Sequence, residues 1–195
     1  QPESASPPAV MTEPANEEFV KVVDWIPSLY IELRYATDDN FTGETIYGFS
    51  QAYLRYGTVK KLLAAQEALA EQGYSLKIWD AFRPVSAQFK LWELVPDPVY
   101  VANPNTGYSS HSRGNTVDVT LVTAEGGALE MPSGFDEFSA LGDRDYGDVG
   151  ADAAANAHLL EDAMTKAGFN AYAGEWWHFS DADVYPAAET YEPAE

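Results

Sequence analysis

The feature that most constrains this chain is an acidic residue inside a strand-like run. The segment NTVDVTLV is rich in β-branched and apolar residues, which is typical of a buried β-strand, yet it contains Asp118. A carboxylate among apolar side chains costs free energy unless something cationic meets it. The fold must therefore bring a cation to Asp118, either an arginine or a metal ion.

Size and composition indicate one globular domain. The chain has 195 residues, of which 46% are hydrophobic and 13% aromatic, enough for a single core. Its 31 acidic residues against 11 basic ones give a formal net charge of −20, which argues against a nucleic-acid or anionic-membrane partner. No apolar run approaches the about eighteen residues that a membrane-spanning helix needs. The absence of cysteine excludes disulfides, thiolate zinc sites and cysteine nucleophiles.

The composition divides the chain into an ordered domain and two flexible ends. Residues 1–18 are rich in Pro, Ser, Ala and Glu and predict a flexible leader, and residues 186–195 predict a flexible acidic tail. A single domain is expected between them, over residues 19–185. Such a leader suits a mature exported protein, periplasmic or secreted, whose signal peptide has been removed. A cytoplasmic protein with a trimmed leader is the alternative.

Local patterns predict helices and strands without a regular βαβ rhythm, so the fold class is α+β. TVKKLLAAQEALAEQGY predicts a helix capped by Thr58 and ended by Gly73. PVSAQFKLWEL predicts a helix after Pro84, and GADAAANAHLLEDAMTKAG a helix that ends at Gly168. YSLKIWDAF, NTVDVTLV and EWWHFS predict strands, EWWHFS being the last.

Three candidate metal ligands lie in two short segments. SSHSRGNTVDVTL contains His111 and Asp118, and EWWHF contains His178. Two histidines and one carboxylate are a common zinc set that leaves the fourth tetrahedral position for water. Zinc would supply the cation that Asp118 needs, and Gly114 lets the backbone bend so that His111 and Asp118 converge.

Two further residues have the chemistry that a zinc hydrolase requires. Glu175, three positions before His178, could take a proton from water and return it to a leaving amine. Since a straight strand would send these two side chains to opposite faces, the chain must bend, and Gly174 is a plausible place. Arg83 follows a strand in WDAFRP and suits a developing oxyanion, with Asp80 available to orient it.

Each of these residues also has an ordinary structural interpretation when it is taken alone. His111 could be a polar loop residue, Asp118 could pair with an arginine, and Arg83 could form a surface salt bridge. The aromatic residues of EWWHF are expected in the core or the wall of a pocket. The combination, rather than any one residue, points to a metal site.

Several segments together resemble one family. SSHSRGNTVDVTL and EWWHF resemble the two metal motifs of the D-alanyl-D-alanine dipeptidases, the VanX-like members of the zinc D,D-peptidases. LRYATDDNFTGETIYG, GYSLKIWDAFRP, MPSGFDEF and AGFNAYAGEWWHF resemble further segments of that family, in the same order. The resemblance runs from about Asp24 to about Tyr185, nearly the whole predicted domain.

The resemblance implies a fold, an activity and residue roles. The fold would be a central, mostly antiparallel sheet that carries one zinc ion per chain, with helices packed on one side. The activity would be hydrolysis of the D-Ala-D-Ala dipeptide, a unit of peptidoglycan, to two D-alanines. The implied roles are zinc binding for His111, Asp118 and His178, acid–base catalysis for Glu175, stabilisation of the scissile carbonyl for Arg83, binding of the substrate ammonium for Asp136, and further substrate contacts for Tyr35, Ser109 and Ser110.

Two alternatives stay open at this point. A zinc D,D-carboxypeptidase or endopeptidase would act on longer peptidoglycan stem peptides, and the loop between Arg83 and His111 is shorter than expected for the dipeptidases of resistance clusters. An ammonium clamp at Asp136 favours the free dipeptide. A metal-dependent binding module would keep the three ligands but would need neither Glu175 nor Arg83.

Overall fold

The computed structural model describes residues 12–194, so the first eleven positions of the predicted leader and the last residue of the predicted tail lie outside the described residues. Helices and strands are interspersed along the chain, which confirms the α+β class. The strands are β1 (Phe19–Lys21), β2 (Tyr30–Ile31), β3 (Tyr53–Arg55), β4 (Tyr74–Asp80), β5 (Thr116–Thr123), β6 (Phe169–Ala171) and β7 (His178–Asp181). The helices are α1 (Val22–Trp25), α2 (Tyr56–Ala70), α3 (Val85–Leu94) and α4 (Ala151–Lys166), with 3-10 turns at Arg34–Ala36, Ser110–Arg113 and Ala140–Gly142.

The main sheet has five strands in the order β2-β4-β5-β7-β6. β2 and β4 pair in parallel, whereas the β4–β5, β5–β7 and β6–β7 pairs are antiparallel. The predicted mostly antiparallel sheet is therefore confirmed. The segment NTVDVTLV forms its central strand, β5, and this position accounts for the burial of nearly every residue in it. β1 and β3 form a separate antiparallel pair.

Helices α2 and α4 cover one face of this sheet. α2 packs on β4, α4 packs on β5 and β6, and the two helices contact each other. Val117, Val119 and Leu121 of β5 point toward them and are at most 1% exposed. Side chains alternate along a strand, so Asp118 points to the opposite face, away from the helices. The core thus fixes which face of β5 is free for polar chemistry.

Two local predictions were wrong in detail. The long helix starts at Tyr56 rather than at a Thr58 cap, and Thr58 lies inside its first turn, where its hydroxyl donates a hydrogen bond to Asp181 of β7 at 2.8 Å. The last strand starts at His178 rather than at Glu175. Backbone hydrogen bonds from Glu175 N to Tyr172 O and from His178 N to Glu175 O turn the chain before the strand.

Both described chain ends lie against the domain. The guanidinium of Arg55 donates to the carbonyls of Glu17 and Pro186 at 2.7 and 2.9 Å. The ring of Tyr191 stacks on Phe19 with centroids 4.2 Å apart. The domain limits at residues 19 and 185 stay a prediction. Over residues 12–194, no helix combines the length and apolar character needed to cross a membrane.

Candidate metal centre

Strand pairing brings three polar side chains to the same face of the sheet. Asp118 of β5 lies opposite His178 of β7 and opposite Asp80 of β4. Directly opposed residues of antiparallel strands point to the same side, so register alone places these groups together. The Oδ1 atom of Asp118 lies 3.0 Å from Nδ1 of His178.

His111 reaches the same place from the 3-10 turn before β5. Gly114 ends this turn with a φ of +75°, and a Cβ atom there would collide with the ring of Phe19. Nδ1 of His111 lies 2.8 Å from the carbonyl oxygen of Ala81. A carbonyl only accepts, so this contact puts a proton on Nδ1 and leaves Nε2, which lies 3.3 Å from Asp118, as the atom that could bind a metal ion. The bend predicted at Gly114 is confirmed.

The three candidate ligands form a compact group. Ligand atoms of His111, Asp118 and His178 all lie within 4.8 Å of one another. Burial by itself would raise the pKa of Asp118, but the two histidines beside it hold that pKa well below its usual range. Two imidazoles and one carboxylate match the donor set of a catalytic zinc site, so these residues could hold a metal ion.

Glu175 lies beside this group on a turn between β6 and β7. Its Oε2 atom is 3.5 Å from Nδ1 of His178. The turn that starts at Tyr172 includes Gly174, where the sequence predicted a bend, and lets side chains three residues apart meet. Burial, together with the negative charge of Asp118, raises the pKa of Glu175 to about 7. A carboxyl group with this pKa can both accept and donate a proton near neutral pH.

Arg83 is held at the edge of the site by buried partners. Its Nη2 and Nε atoms lie 2.7 and 3.2 Å from Oδ2 of Asp80, the residue expected to orient it. The Tyr47 hydroxyl donates to the other Asp80 oxygen at 2.6 Å, and Nη1 of Arg83 donates to Gln88 at 2.9 Å. Tyr47 and Gln88 were missed from the sequence, because nothing local to either residue indicates the contact.

Asp136 faces the metal group from the loop between β5 and α4. Its backbone is left-handed, with a φ of 51°, and it accepts a hydrogen bond from the hydroxyl of Tyr35. Burial and the nearby charge of Asp118 raise the pKa of Asp136 to about 7. The guanidinium carbon of Arg83 lies 5.1 Å from the centre of the Tyr35 ring, so Tyr35 contacts both Arg83 and Asp136.

A cavity of about 530 Å³ joins these residues. Every site residue predicted from the sequence lines it: Tyr35, Arg83, Ser109, Ser110, His111, Asp118, Asp136, Glu175 and His178. Around its mouth lie four partly exposed aromatic residues that the sequence did not single out, Tyr100, Tyr108, Phe138 and Tyr172. Phe138 and Tyr172 lie in the segments MPSGFDEF and AGFNAYAGEWWHF, which resemble the family, whereas Tyr100 and Tyr108 lie in a loop without a recognisable motif.

Comparison with known proteins gives consistent matches over nearly the whole chain. The profile of peptidase family M15, described as D-Ala-D-Ala dipeptidase, matches residues 15–193. A D-alanyl-D-alanine dipeptidase of Escherichia coli K12 is 39% identical over 171 residues, which cover 87% of this chain and 88% of that protein. The Enterococcus faecium enzyme of the same name is 34% identical over 84% of this chain and 88% of its own. The D-alanyl-D-alanine dipeptidase of Enterococcus faecalis is 35% identical over 82% of this chain and 89% of its own length.

Proposed function

Because the chain belongs to the D-Ala-D-Ala dipeptidases of peptidase family M15, we propose that it hydrolyses the D-Ala-D-Ala dipeptide to two D-alanines with one zinc ion per chain. It is a metallopeptidase, and His111, Asp118 and His178 are the proposed zinc ligands. The observation that carries the proposal is the convergence of these three ligands in one cavity with Glu175 and Asp136. An exported location, periplasmic or secreted, is also part of the proposal.

Glu175 is the proposed acid and base. When bound, zinc would lower the pKa of water and polarise the scissile carbonyl. The carboxylate of Glu175, next to His178, would accept the proton of the attacking water and deliver it to the departing amine. Burial, the largest cause of its raised pKa, persists with zinc bound and eases proton uptake by the carboxylate near neutral pH.

Arg83 is the proposed donor to the substrate carbonyl oxygen. Negative charge develops on this oxygen as water attacks, and a preorganised guanidinium stabilises it. Asp80 and Gln88 fix the orientation of Arg83 before the substrate arrives. The guanidinium therefore does not have to reorganise during the reaction.

Asp136 is the proposed partner of the substrate ammonium. A free dipeptide must bury its charged amine, and an opposed buried carboxylate offsets that desolvation. Tyr35 donates to Asp136 and fixes its position. Ser109 and Ser110 line the same cavity and are proposed to make further substrate contacts. A clamp at the amine favours the dipeptide over longer stem peptides, whose corresponding nitrogen is acylated.

Calorimetric titration of the metal-free protein with zinc tests the ligand set. We expect one zinc ion per chain for the unchanged protein and much weaker binding by Asp118→Asn. The exposed Asp38→Asn is the matched control and should bind zinc normally. No zinc binding by the unchanged protein, or equal binding by Asp118→Asn, would contradict the proposed site.

A further inference from the structure

We propose that Arg144 is a positioning residue that fixes the loop carrying Glu175. This loop, residues 172–177, joins β6 to β7 and is called the Glu175 loop below. Arg144 lies in the segment between the 3-10 turn Ala140–Gly142 and α4, a segment that the metal motifs do not include. The inference rests on the proposed catalytic role of Glu175.

The side chain of Arg144 ties together the two ends of the Glu175 loop. Its Nε atom donates to the carbonyl of Tyr172 at 2.7 Å, and Nη2 donates to the carbonyl of His178 at 3.0 Å. The His178 carbonyl also accepts from Tyr172 N at 3.2 Å, so the arginine binds where the loop closes. A single guanidinium thus sets the distance and angle between the two ends.

The backbone of the same segment holds the middle of the loop. Arg144 N donates to the carbonyl of Ala173 at 3.2 Å, and Trp176 N donates to the carbonyl of Gly142 at 2.8 Å. The Trp176 side chain is 1% exposed, and its indole nitrogen donates to the hydroxyl of Ser133 at 2.9 Å. Ala173 and Trp176, which lie on either side of Glu175, are therefore both held by backbone hydrogen bonds to this segment. The Trp176 side chain is also held by Ser133.

Arg144 also contacts residues outside the Glu175 loop. Its Nη1 atom lies 3.1 Å from Oε2 of Glu161 on α4, and the Tyr146 hydroxyl donates to the same oxygen at 3.0 Å. The guanidinium carbon lies 4.5 Å from the centre of the Phe179 ring on β7. The arginine therefore connects the Glu175 loop to both a long helix and the central sheet, with its charge compensated by Glu161.

Loss of Arg144 should move Glu175 more than it disturbs the metal ligands. His178 is the first residue of β7 and stays paired with Asp118 through the sheet, and His111 lies on another element. Glu175 has no strand pairing and lies in the loop that Arg144 closes. A misplacement of about 1 Å at a catalytic group can cost on the order of 100-fold in rate.

The test compares Arg144→Lys and Arg144→Met with a matched structural control. Leu69→Ala removes buried side-chain volume at the end of α2, where the side chain is fully buried, without touching the Glu175 loop. For each zinc-loaded variant we would measure kcat and KM for D-Ala-D-Ala, zinc content, melting temperature and amide hydrogen exchange of residues 172–178. Should Arg144→Met not fold, Arg144→Lys and Glu161→Gln supply the comparison.

For the Arg144 variants we expect kcat to fall about 10- to 100-fold while KM changes by less than about threefold. Zinc content should stay at one per chain, and amides of the Glu175 loop should exchange faster. Leu69→Ala should lower the melting temperature but leave kcat unchanged where it is folded. Unchanged turnover and exchange in the Arg144 variants, or an equal kcat loss in Leu69→Ala, would overturn the inference.

The two proposals fail in different ways. If the unchanged protein binds zinc but does not hydrolyse D-Ala-D-Ala, the proposed function is wrong, and the catalytic part of the Arg144 proposal falls with it. Hydrogen exchange then still decides the structural part. Faster exchange of the loop in Arg144→Lys supports the clamp without any activity measurement, and unchanged exchange refutes it.

Discussion

Asp118 lies between two histidines, with one carboxylate oxygen 3.3 Å from Nε2 of His111 and the other 3.0 Å from Nδ1 of His178. At the scale of single residues, this arrangement accounts for a carboxylate in the central strand of the sheet. The low pKa of Asp118 keeps it charged beside the two histidines, which could hold a metal ion as the cation that it requires. Burial, together with the charge of Asp118, raises the pKa values of the surrounding carboxyls, Glu175 and Asp136.

Replacing Glu175 with Gln separates catalysis from metal binding. The substitution removes the proposed base but none of the three ligands, so zinc content should stay at one per chain. We expect kcat to fall about 10²- to 10⁴-fold, the range of general acid–base contributions. Steady-state kinetics with metal analysis checks this, and Glu93→Gln on the exposed side of α3 is the control. Turnover close to that of the unchanged protein would contradict the role of Glu175.

Replacing Asp136 with Asn tests the ammonium clamp. Asparagine tolerates the left-handed backbone at this position, so the loop should keep its conformation. We expect kcat/KM for free D-Ala-D-Ala to fall far more than that for an N-acylated D-Ala-D-Ala, because only the free dipeptide carries the ammonium. Equal losses for the two substrates would rule out the clamp.

The pH dependence of KM gives an independent check on Asp136. Its pKa is raised to about 7, so the carboxylate is present above that pH and becomes protonated below it. Bound zinc offsets the charge of Asp118 and lowers this pKa, which puts the midpoint at or below 7 in the zinc enzyme. KM for D-Ala-D-Ala should therefore rise as the pH falls through this range. In Asp136→Asn, KM should be high throughout and should lack this step.

At the scale of secondary-structure elements, the site depends on the two turns that precede strands β5 and β7. A 3-10 turn ended by Gly114 delivers His111, and the Glu175 loop delivers Glu175 just before His178. The sheet itself contributes only the strand register that opposes Asp118 and His178. Catalytic groups on short turns are thus placed by neighbours that rigidify those turns.

Gly114→Ala should destabilise the turn that carries His111. A left-handed alanine costs about 1–2 kcal/mol, and the collision with Phe19 adds overpacking of about 1–3 kcal/mol. Gly43→Ala is the matched control, because Gly43 also has a positive φ of +69° but has open space around its Cβ position. Denaturant unfolding should give a larger loss of unfolding free energy for Gly114→Ala. Equal losses would show that Phe19 does not restrict the turn.

The elements differ in how far their own sequence predicts them. β4 and β5 were predicted correctly because their apolar patterns are local and strong. The start of α2 was not, since the helix begins two residues before Thr58, whose hydroxyl bonds to Asp181, 123 positions away. The turn at Glu175 was expected only as a bend that the proposed chemistry required, since EWWHF by itself has the composition of a strand.

At the scale of the whole molecule, one cavity collects side chains from Tyr35 near the start of the domain to His178 near its end. Each residue that the resemblance implied for the site lies in a recognisable segment and lines this cavity, and its role stays a prediction. Arg144 and two of the aromatic residues around the mouth, Tyr100 and Tyr108, lie outside every such segment and could not be predicted. Their partners lie far along the chain, as with the 34 positions between Arg144 and His178, and contacts at that separation have no local signature.

The most direct test of the whole account is D-alanine release by the zinc-loaded protein from D-Ala-D-Ala and from a peptidoglycan stem pentapeptide, measured side by side and repeated after chelation. We expect release from the dipeptide alone, which is lost on chelation and restored by one equivalent of zinc. Comparable release from the pentapeptide would contradict the ammonium clamp and make the enzyme a carboxypeptidase. No release from the dipeptide, with zinc bound, would contradict the central claim.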